Sequence, residues 1–159
     1  MSADAQRPAI AVAGEGDLVE LLPLMRAYCD FYEVAPSDEA LLELSRALVT
    51  DPGREGVQLI ARAPSGEAIG FATIFWSWST TRAARIGVMN DLFVSPHARG
   101  AGAGRVGEAL IAACAERCRA RGAASLTWQT ALDNERAQAL YDRIGAERSH
   151  WLDYDLPVG

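Results

Sequence analysis

The sequence predicts a single α/β domain in which a sheet is flanked by helices. Strand-like and helix-like segments alternate along the 159 residues, without an internal repeat or an obvious linker. The length is close to that of one ordinary domain, and a hydrophobic fraction of 50% is enough to bury a core. Residues 1–159 are therefore expected to form one domain.

The first half of the chain supplies a strand, two helices and a hairpin. Residues 9–13 have the composition of a strand, and Asp17 is placed to cap a helix with one apolar face made by Leu18, Leu21, Leu22 and Met25. A second helix should follow Ser37, with acidic residues in its first turn and leucines at 41, 42, 44 and 48. Two hairpin strands are expected at 57–63 and 68–78, on either side of a Pro-Ser-Gly turn.

The second half supplies a strand that runs into a glycine-rich turn, followed by further elements. A strand at 88–94 leads into the Arg-Gly-Ala-Gly-Ala-Gly-Arg segment at 99–105, which opens a helix. A short strand is expected at 125–129. Asp133 or Asn134 should cap a final helix that ends at Gly145, and a last strand is expected at 150–156.

The glycine-rich turn predicts a site for phosphate. The first N–H groups of a helix have no partners within the helix, and glycines let a large anion approach the main chain. A nucleotide-binding P-loop is excluded, because the chain contains no lysine. Gly102, Gly104 and Gly107 match a dinucleotide fingerprint literally, but the next strand ends without the carboxylate that would hold a ribose.

Two ordered motifs make the chain resemble the GNAT N-acetyltransferases. The first is Asn-Asp-Leu-Phe-Val-Ser-Pro followed by the glycine-rich loop, where Arg99, Gly102 and Gly104 fit the acyl-CoA pattern of that family. The second is the segment from Asp133 to Ala146, with its Leu-Tyr and Gly-Ala pairs. Within the family, the sequence looks most similar to the spermidine and diamine acetyltransferases.

The resemblance implies a mixed, mostly antiparallel sheet whose central strands splay to admit acetyl-CoA. Direct transfer of acetyl to an amine is the implied reaction, and Tyr141 is the residue implied to meet the thioester sulfur. A phenol there can hydrogen-bond the departing thiolate. The cofactor is implied to contact the strand main chain, the loop and one amide side chain: Leu92, Phe93, Val94, Arg99, Gly100, Ala101, Gly102, Ala103, Gly104, Arg105 and Asn134.

The base that deprotonates the amine is left open by the sequence. The resembled polyamine branch has a glutamate where this chain has Asn90, and an amide cannot accept the proton. Asp91 is the candidate we name, although strand alternation directs it to the opposite face unless a bulge intervenes. Glu33, between the first two helices, is another candidate acid.

Composition narrows the partners and the setting. A formal charge of −6 argues against a nucleic-acid surface and makes a cationic small-molecule amine a plausible acceptor, although a protein amine stays open. Three cysteines without a paired pattern favour the cytoplasm, no apolar run is long enough to span a membrane, and no metal site is expected. A homodimer is expected from the resemblance. The alternatives are a CoA-binding sensor without turnover and a dinucleotide-dependent oxidoreductase.

Overall fold

The computed structural model describes residues 7–98 and 103–159. Four of the predicted loop residues, Arg99, Gly100, Ala101 and Gly102, lie outside these ranges. The helices and strands, in chain order, are β1 (Ala9–Val12), α1 (Leu18–Phe31), α2 (Asp38–Thr50), β2 (Gly56–Arg62), β3 (Ala68–Ser79), β4 (Ala84–Val94), α3 (Ala103–Ala120), β5 (Leu126–Thr127) and α4 (Glu135–Arg143).

The described chain divides into two compact units, one ending at Gln129 and one beginning at Thr130. The first unit contains a five-stranded sheet with the order β1-β2-β3-β4-β5. Strands β1 to β4 each run antiparallel to the next strand, and β5 alone runs parallel to its neighbour β4. The predicted mixed, mostly antiparallel sheet is confirmed. A doubly wound parallel sheet, which a dinucleotide-binding fold requires, is not what this unit contains.

Helices α1 and α3 pack on opposite faces of the sheet. Phe71 and Phe93 belong to one buried cluster with the apolar face of α1. Gly70, which precedes Phe71 in β3 and therefore faces the other way, lies against Leu110 of α3. This arrangement buries the sheet on both sides, and it explains why β2 is buried over nearly its whole length.

A capping side chain sets the start of α2, whereas the residue predicted to cap α1 has other partners. Ser37 accepts a hydrogen bond from the N–H of Ala40 and starts α2, as predicted. Asp17 precedes α1 as predicted, but its carboxylate does not cap that helix. It accepts instead from the N–H of Gly14, 2.8 Å away, and pairs with Arg62 at 2.8 Å. Asp17 thus ties the start of α1 to strand β2.

In the second unit the helix is confirmed and the final strand is not. Asn134 accepts a hydrogen bond from the N–H of Ala137 at the start of α4, and Gly145 follows the helix with a φ of +82°. The strand predicted at 150–156 is wrong: this segment has no regular structure. The apolar side chains of residues 150–156 alternate as in a strand. Among the described residues of this unit, however, α4 is the sole helix or strand, so the segment has no strand there to pair with.

Gly87 allows β4 and α3 to approach closely, and this gives a stability prediction. A Cβ at this position would lie 2.5 Å from Sγ of Cys118, well inside contact distance. Gly87→Ala should therefore lower the free energy of unfolding by about 1 to 3 kcal/mol in a denaturant titration. Gly16→Ala is the matched control, because a Cβ there meets nothing within 4 Å. Equal effects of the two substitutions would contradict this account of the packing.

Candidate active site

A bulge in β4 decides which way its polar residues face. Thr73 of β3 pairs with Asp91, whereas the next residue, Ile74, pairs with Met89. Asn90 is therefore the extra residue in the ladder, and the strand alternation changes phase across it. Met89 shares the face of Ile74, while Asp91 shares the face of Thr73, towards α1. The bulge that the sequence analysis named as the condition for Asp91 is present.

Asp91 is a half-buried carboxylate surrounded by three hydrogen-bond donors. The amide nitrogen of Asn90 lies 3.0 Å from its Oδ1. The hydroxyl groups of Thr73 and Tyr28 also hydrogen-bond to it. Burial raises the pKa of Asp91 above that of an ordinary aspartate, and the three hydrogen bonds offset part of this rise. Asp91 is consequently a stronger proton acceptor than an exposed aspartate.

Tyr28 is a site residue that the sequence analysis missed. Its hydroxyl lies 3.3 Å from the carbonyl oxygen of Asn90, and its ring packs edge-on against Tyr32, Phe71 and Phe93. Burial and the neighbouring charge of Asp91 raise the pKa of Tyr28 well above that of a free phenol, so it remains a donor. The available signal was its position three residues after Met25, on the buried stripe of α1.

Two further polar residues lie behind Asp91 and were also missed. Thr73 and Gln58 are both buried, and the amide nitrogen of Gln58 lies 3.2 Å from Oγ1 of Thr73. The signal in the sequence was a glutamine within the apolar run Val-Gln-Leu-Ile-Ala of β2, because a buried polar side chain needs specific partners.

The end of β4 and the start of α3 follow these residues along the chain. β5 pairs with β4 at Gly87 and Val88, and β4 continues from there to Val94. Leu92, Phe93 and Val94 occupy this continuation. The helix α3 begins at Ala103, Gly104 and Arg105 lie in its first turn, and that turn contains no acidic residue. The positive end of the α3 dipole is thus not neutralised by its own sequence.

The remaining predicted residues lie elsewhere along the chain. Tyr141 and Asn134 belong to the second unit, Tyr141 on α4 and Asn134 at its start, where the amide oxygen of Asn134 caps the helix. Glu33 follows α1 with a φ of +55° and an exposed side chain. That left-handed conformation completes a Schellman-type helix end, in which the N–H of Val34 bonds to the carbonyl of Cys29. It costs a non-glycine residue about 1 to 2 kcal/mol.

The cysteines of α3 are poor nucleophiles. Cys114 and Cys118 are buried, and burial raises the pKa of the Cys114 thiol to about 12. A thiol of that pKa stays protonated at neutral pH. Over residues 7–98 and 103–159, no group of three or more metal-ligating side chains is found. None of the helices in the described part of the chain is long and apolar enough to cross a membrane.

Comparison with known proteins identifies the family. The sequence profile of the acetyltransferase (GNAT) family matches residues 21–146. An uncharacterized N-acetyltransferase of Bacillus subtilis (strain 168), YhfO, is 36% identical over 150 residues, which is 94% of this chain and 97% of the relative. The chain belongs to the GNAT acetyltransferase family. It is an acetyl-CoA-dependent N-acetyltransferase, as the resemblance implied.

Solved structures agree with this assignment. A probable acetyltransferase superposes with a TM-score of 0.81 at 25% identity, covering 95% of this chain and 98% of that one. AAC(6')-Iy, solved with the bisubstrate analogue CoA-S-monomethyl-acetylneamine, superposes with a TM-score of 0.78 at 20% identity, covering 96% and 99%. At that identity the second likeness concerns the fold alone. The spermidine and diamine branch is not singled out by any of these comparisons.

The raised pKa of Asp91 predicts an unusual dependence of stability on pH. The folded protein binds more protons than the unfolded chain between the ordinary aspartate pKa and the raised one, so the contribution of Asp91 to stability falls as pH rises through that window. Asp91→Asn should therefore equal or exceed the wild type in free energy of unfolding at pH 7, by about 1.4 kcal/mol for each unit of pKa difference. The gain should vanish below pH about 3.8.

Asp17→Asn is the matched control of opposite sign. Its backbone hydrogen bond to Gly14 and its pairing with Arg62 lower the pKa of Asp17, so its ionised form stabilises the fold. That contribution is present above the ordinary aspartate pKa and is lost as pH falls through the lowered value. Denaturant titrations of both variants between pH 3 and 8 measure the two trends. A loss of stability at pH 7 for Asp91→Asn as large as that for Asp17→Asn would contradict the account.

Proposed function

We propose that this GNAT enzyme acetylates a primary amine of a small cationic molecule. The amine attacks the thioester of acetyl-CoA directly, and Asp91 is the general base. The observation that carries the proposal is the desolvated Asp91 carboxylate, which the β4 bulge turns towards α1, on the strand that continues into Leu92, Phe93 and Val94. A polyamine, a diamine or an amino-acid-like amine is the proposed acceptor class. The net charge of −6 supports capture of such a cation.

The cofactor is proposed to bind along the end of β4 and the start of α3. The main chain of Leu92, Phe93 and Val94 would pair with the amides of the pantetheine arm, and the loop from Arg99 to Arg105 would bind the pyrophosphate. The free N–H groups and dipole of a helix N-terminus suit a diphosphate, and α3 has no acidic residue in its first turn to oppose one. Asn134 is proposed to contact the pantetheine arm.

The acceptor amine must lose a proton before it attacks. An alkylammonium with a pKa of about 10.4 costs roughly 4 to 5 kcal/mol to deprotonate at pH 7. A carboxylate whose pKa is raised by burial takes the proton at a smaller cost than an ordinary aspartate. Asn90 cannot serve as the base, but its amide group holds Oδ1 of Asp91 at 3.0 Å.

The departing thiolate is proposed to be stabilised by Tyr141. Hydrogen bonding from its phenol lowers the cost of expelling the CoA sulfur, without requiring full transfer of the proton. No covalent acetyl-enzyme is proposed, since buried, protonated Cys114 and Cys118 are unsuited to attack a thioester.

The enzyme is further proposed to act in the reducing cytoplasm, because its three cysteines are free thiols, and to form a homodimer.

A thiol-release assay over a panel of amines tests the proposed reaction. At least one polyamine, diamine or amino-acid-like amine should release free CoA, and Asp91→Asn should lower kcat/KM for it by about 10² to 10⁴-fold, the usual contribution of a general base. Glu33→Gln, which alters the rival acid, is the control and should retain activity. Loss of activity in Glu33→Gln alone would move the base to that residue. Binding of acetyl-CoA without release by any amine would favour the CoA-sensor alternative.

Tyr141→Phe tests the role of the phenol. Losing one hydrogen bond to a developing thiolate should lower kcat by about 10- to 100-fold while the Kd of acetyl-CoA stays nearly constant. Steady-state kinetics and a thermal-shift titration with acetyl-CoA measure the two quantities. Tyr154→Phe is the control, because that side chain is exposed. An unchanged kcat in Tyr141→Phe would remove the residue from the mechanism.

A further inference from the structure

Three polar side chains lie in a row across the neighbouring strands β2, β3 and β4. Gln58 of β2 pairs in register with Thr73 of β3, and Thr73 pairs in register with Asp91 of β4. Gln58 is 3% exposed and Thr73 is fully buried. Buried polar groups of this kind cost stability unless each is hydrogen-bonded, so the partner of each side chain in the row has to be identified.

The direction of the hydrogen bonds in this row is fixed by chemistry. The Gln58 amide nitrogen can only donate, and it lies 3.2 Å from Oγ1 of Thr73 and 3.4 Å from Sδ of Met25. Both neighbours can accept. Since the Thr73 oxygen accepts from Gln58, the single hydroxyl proton of Thr73 is left to donate to Asp91, which accepts it when ionised.

We propose that Gln58 is a positioning residue for Asp91, acting through Thr73. By donating to the Thr73 oxygen, Gln58 directs the Thr73 proton at the carboxylate and so sets the proton affinity of Asp91. Asn90 donates a further hydrogen bond to Oδ1 of Asp91, and the Tyr28 hydroxyl, which also lies 3.3 Å from the Asn90 carbonyl oxygen, contributes to the same environment. The consequence for catalysis rests on the proposed function, in which Asp91 is the base. The hydrogen-bond chain itself does not.

Few other groups affect the titration of Asp91. From α1, the titratable neighbour is Tyr28, and Tyr32 contributes to the raised pKa of Tyr28. From β2 and β3, Gln58 and Thr73 do not titrate. On the side of α2, Ser45 donates to Met25, and neither residue carries a charge. A shift in the pKa of Asp91 on changing Gln58 is therefore attributable to the hydrogen-bond chain that runs from Gln58 through Thr73 to Asp91.

Gln58→Met tests the chain, because methionine has a similar length and no N–H to donate. The Thr73 hydroxyl is then no longer held in one direction, and the ionised form of Asp91 loses support. The pKa of Asp91, measured by carbon-13 NMR of its carboxyl group and assigned with Asp91→Asn, should rise by about half a unit to one unit. Thr73→Val should raise it at least as much, and Thr73→Ser, which keeps the hydroxyl, should restore the wild-type value.

The double variant gives the sharpest test. Once Thr73→Val has cut the chain, adding Gln58→Met should move the pKa of Asp91 no further, whereas two independent packing defects would add. Ser45→Ala is the matched control: it also removes a buried donor to Met25 but touches neither Thr73 nor Asp91, so it should leave the pKa unchanged. Thermal unfolding of each variant confirms that the protein measured is folded.

The outcomes separate this inference from the proposed function. An NMR shift matched by the acidic limb of the kcat/KM profile supports both. A shift of the Asp91 pKa by NMR, without a shift in the acidic limb of the pH dependence of kcat/KM, supports the hydrogen-bond chain and rejects Asp91 as the base. An unchanged pKa in Gln58→Met and Thr73→Val, or additive shifts in the double variant, overturns the inference, whatever the activity of the enzyme.

Discussion

The extra residue at Asn90 is the constraint on which the candidate site depends. Without it, Met89 and Asp91 would share one face of the sheet, and both could not satisfy the apolar packing of Met89 and the polar partners of Asp91. With it, Met89 stays buried beside Ile74 while Asp91 meets Thr73 and Tyr28. A single change of strand phase thus places an apolar side chain and a carboxylate on opposite faces of the sheet within three consecutive residues.

The same arrangement exchanges stability for basicity. Burial disfavours the ionised form of Asp91, and the surrounding donors return part of that cost, so the carboxylate stays a stronger base than an exposed one. Glu33 shows a second local cost, since its left-handed conformation would be easier for glycine. Such departures from the most stable choice concentrate where a protein binds or reacts.

Local patterns gave most of the fold, and pairing between distant segments explains what they missed. The helix after Ser37 and the hairpin of β2 and β3 follow from capping and alternation within a few residues. The strand predicted at 150–156 failed because alternation does not supply a pairing partner. Tyr28 and Gln58 were missed because their hydrogen bonds form only when α1, β2 and β3 pack beside β4.

Motifs gave the family and the proposed role of Tyr141, whereas the direction of Asp91 required the register of β3 and β4. A crystal structure with a CoA–amine conjugate, in which one molecule joins cofactor and acceptor, tests most directly whether Asp91 faces the acceptor amine. The account predicts the amine nitrogen within about 2.6 to 3.2 Å of the Asp91 carboxylate, or joined to it through one water. An amine nitrogen on the α3 face of the sheet, remote from Asp91 and Tyr28, would contradict it.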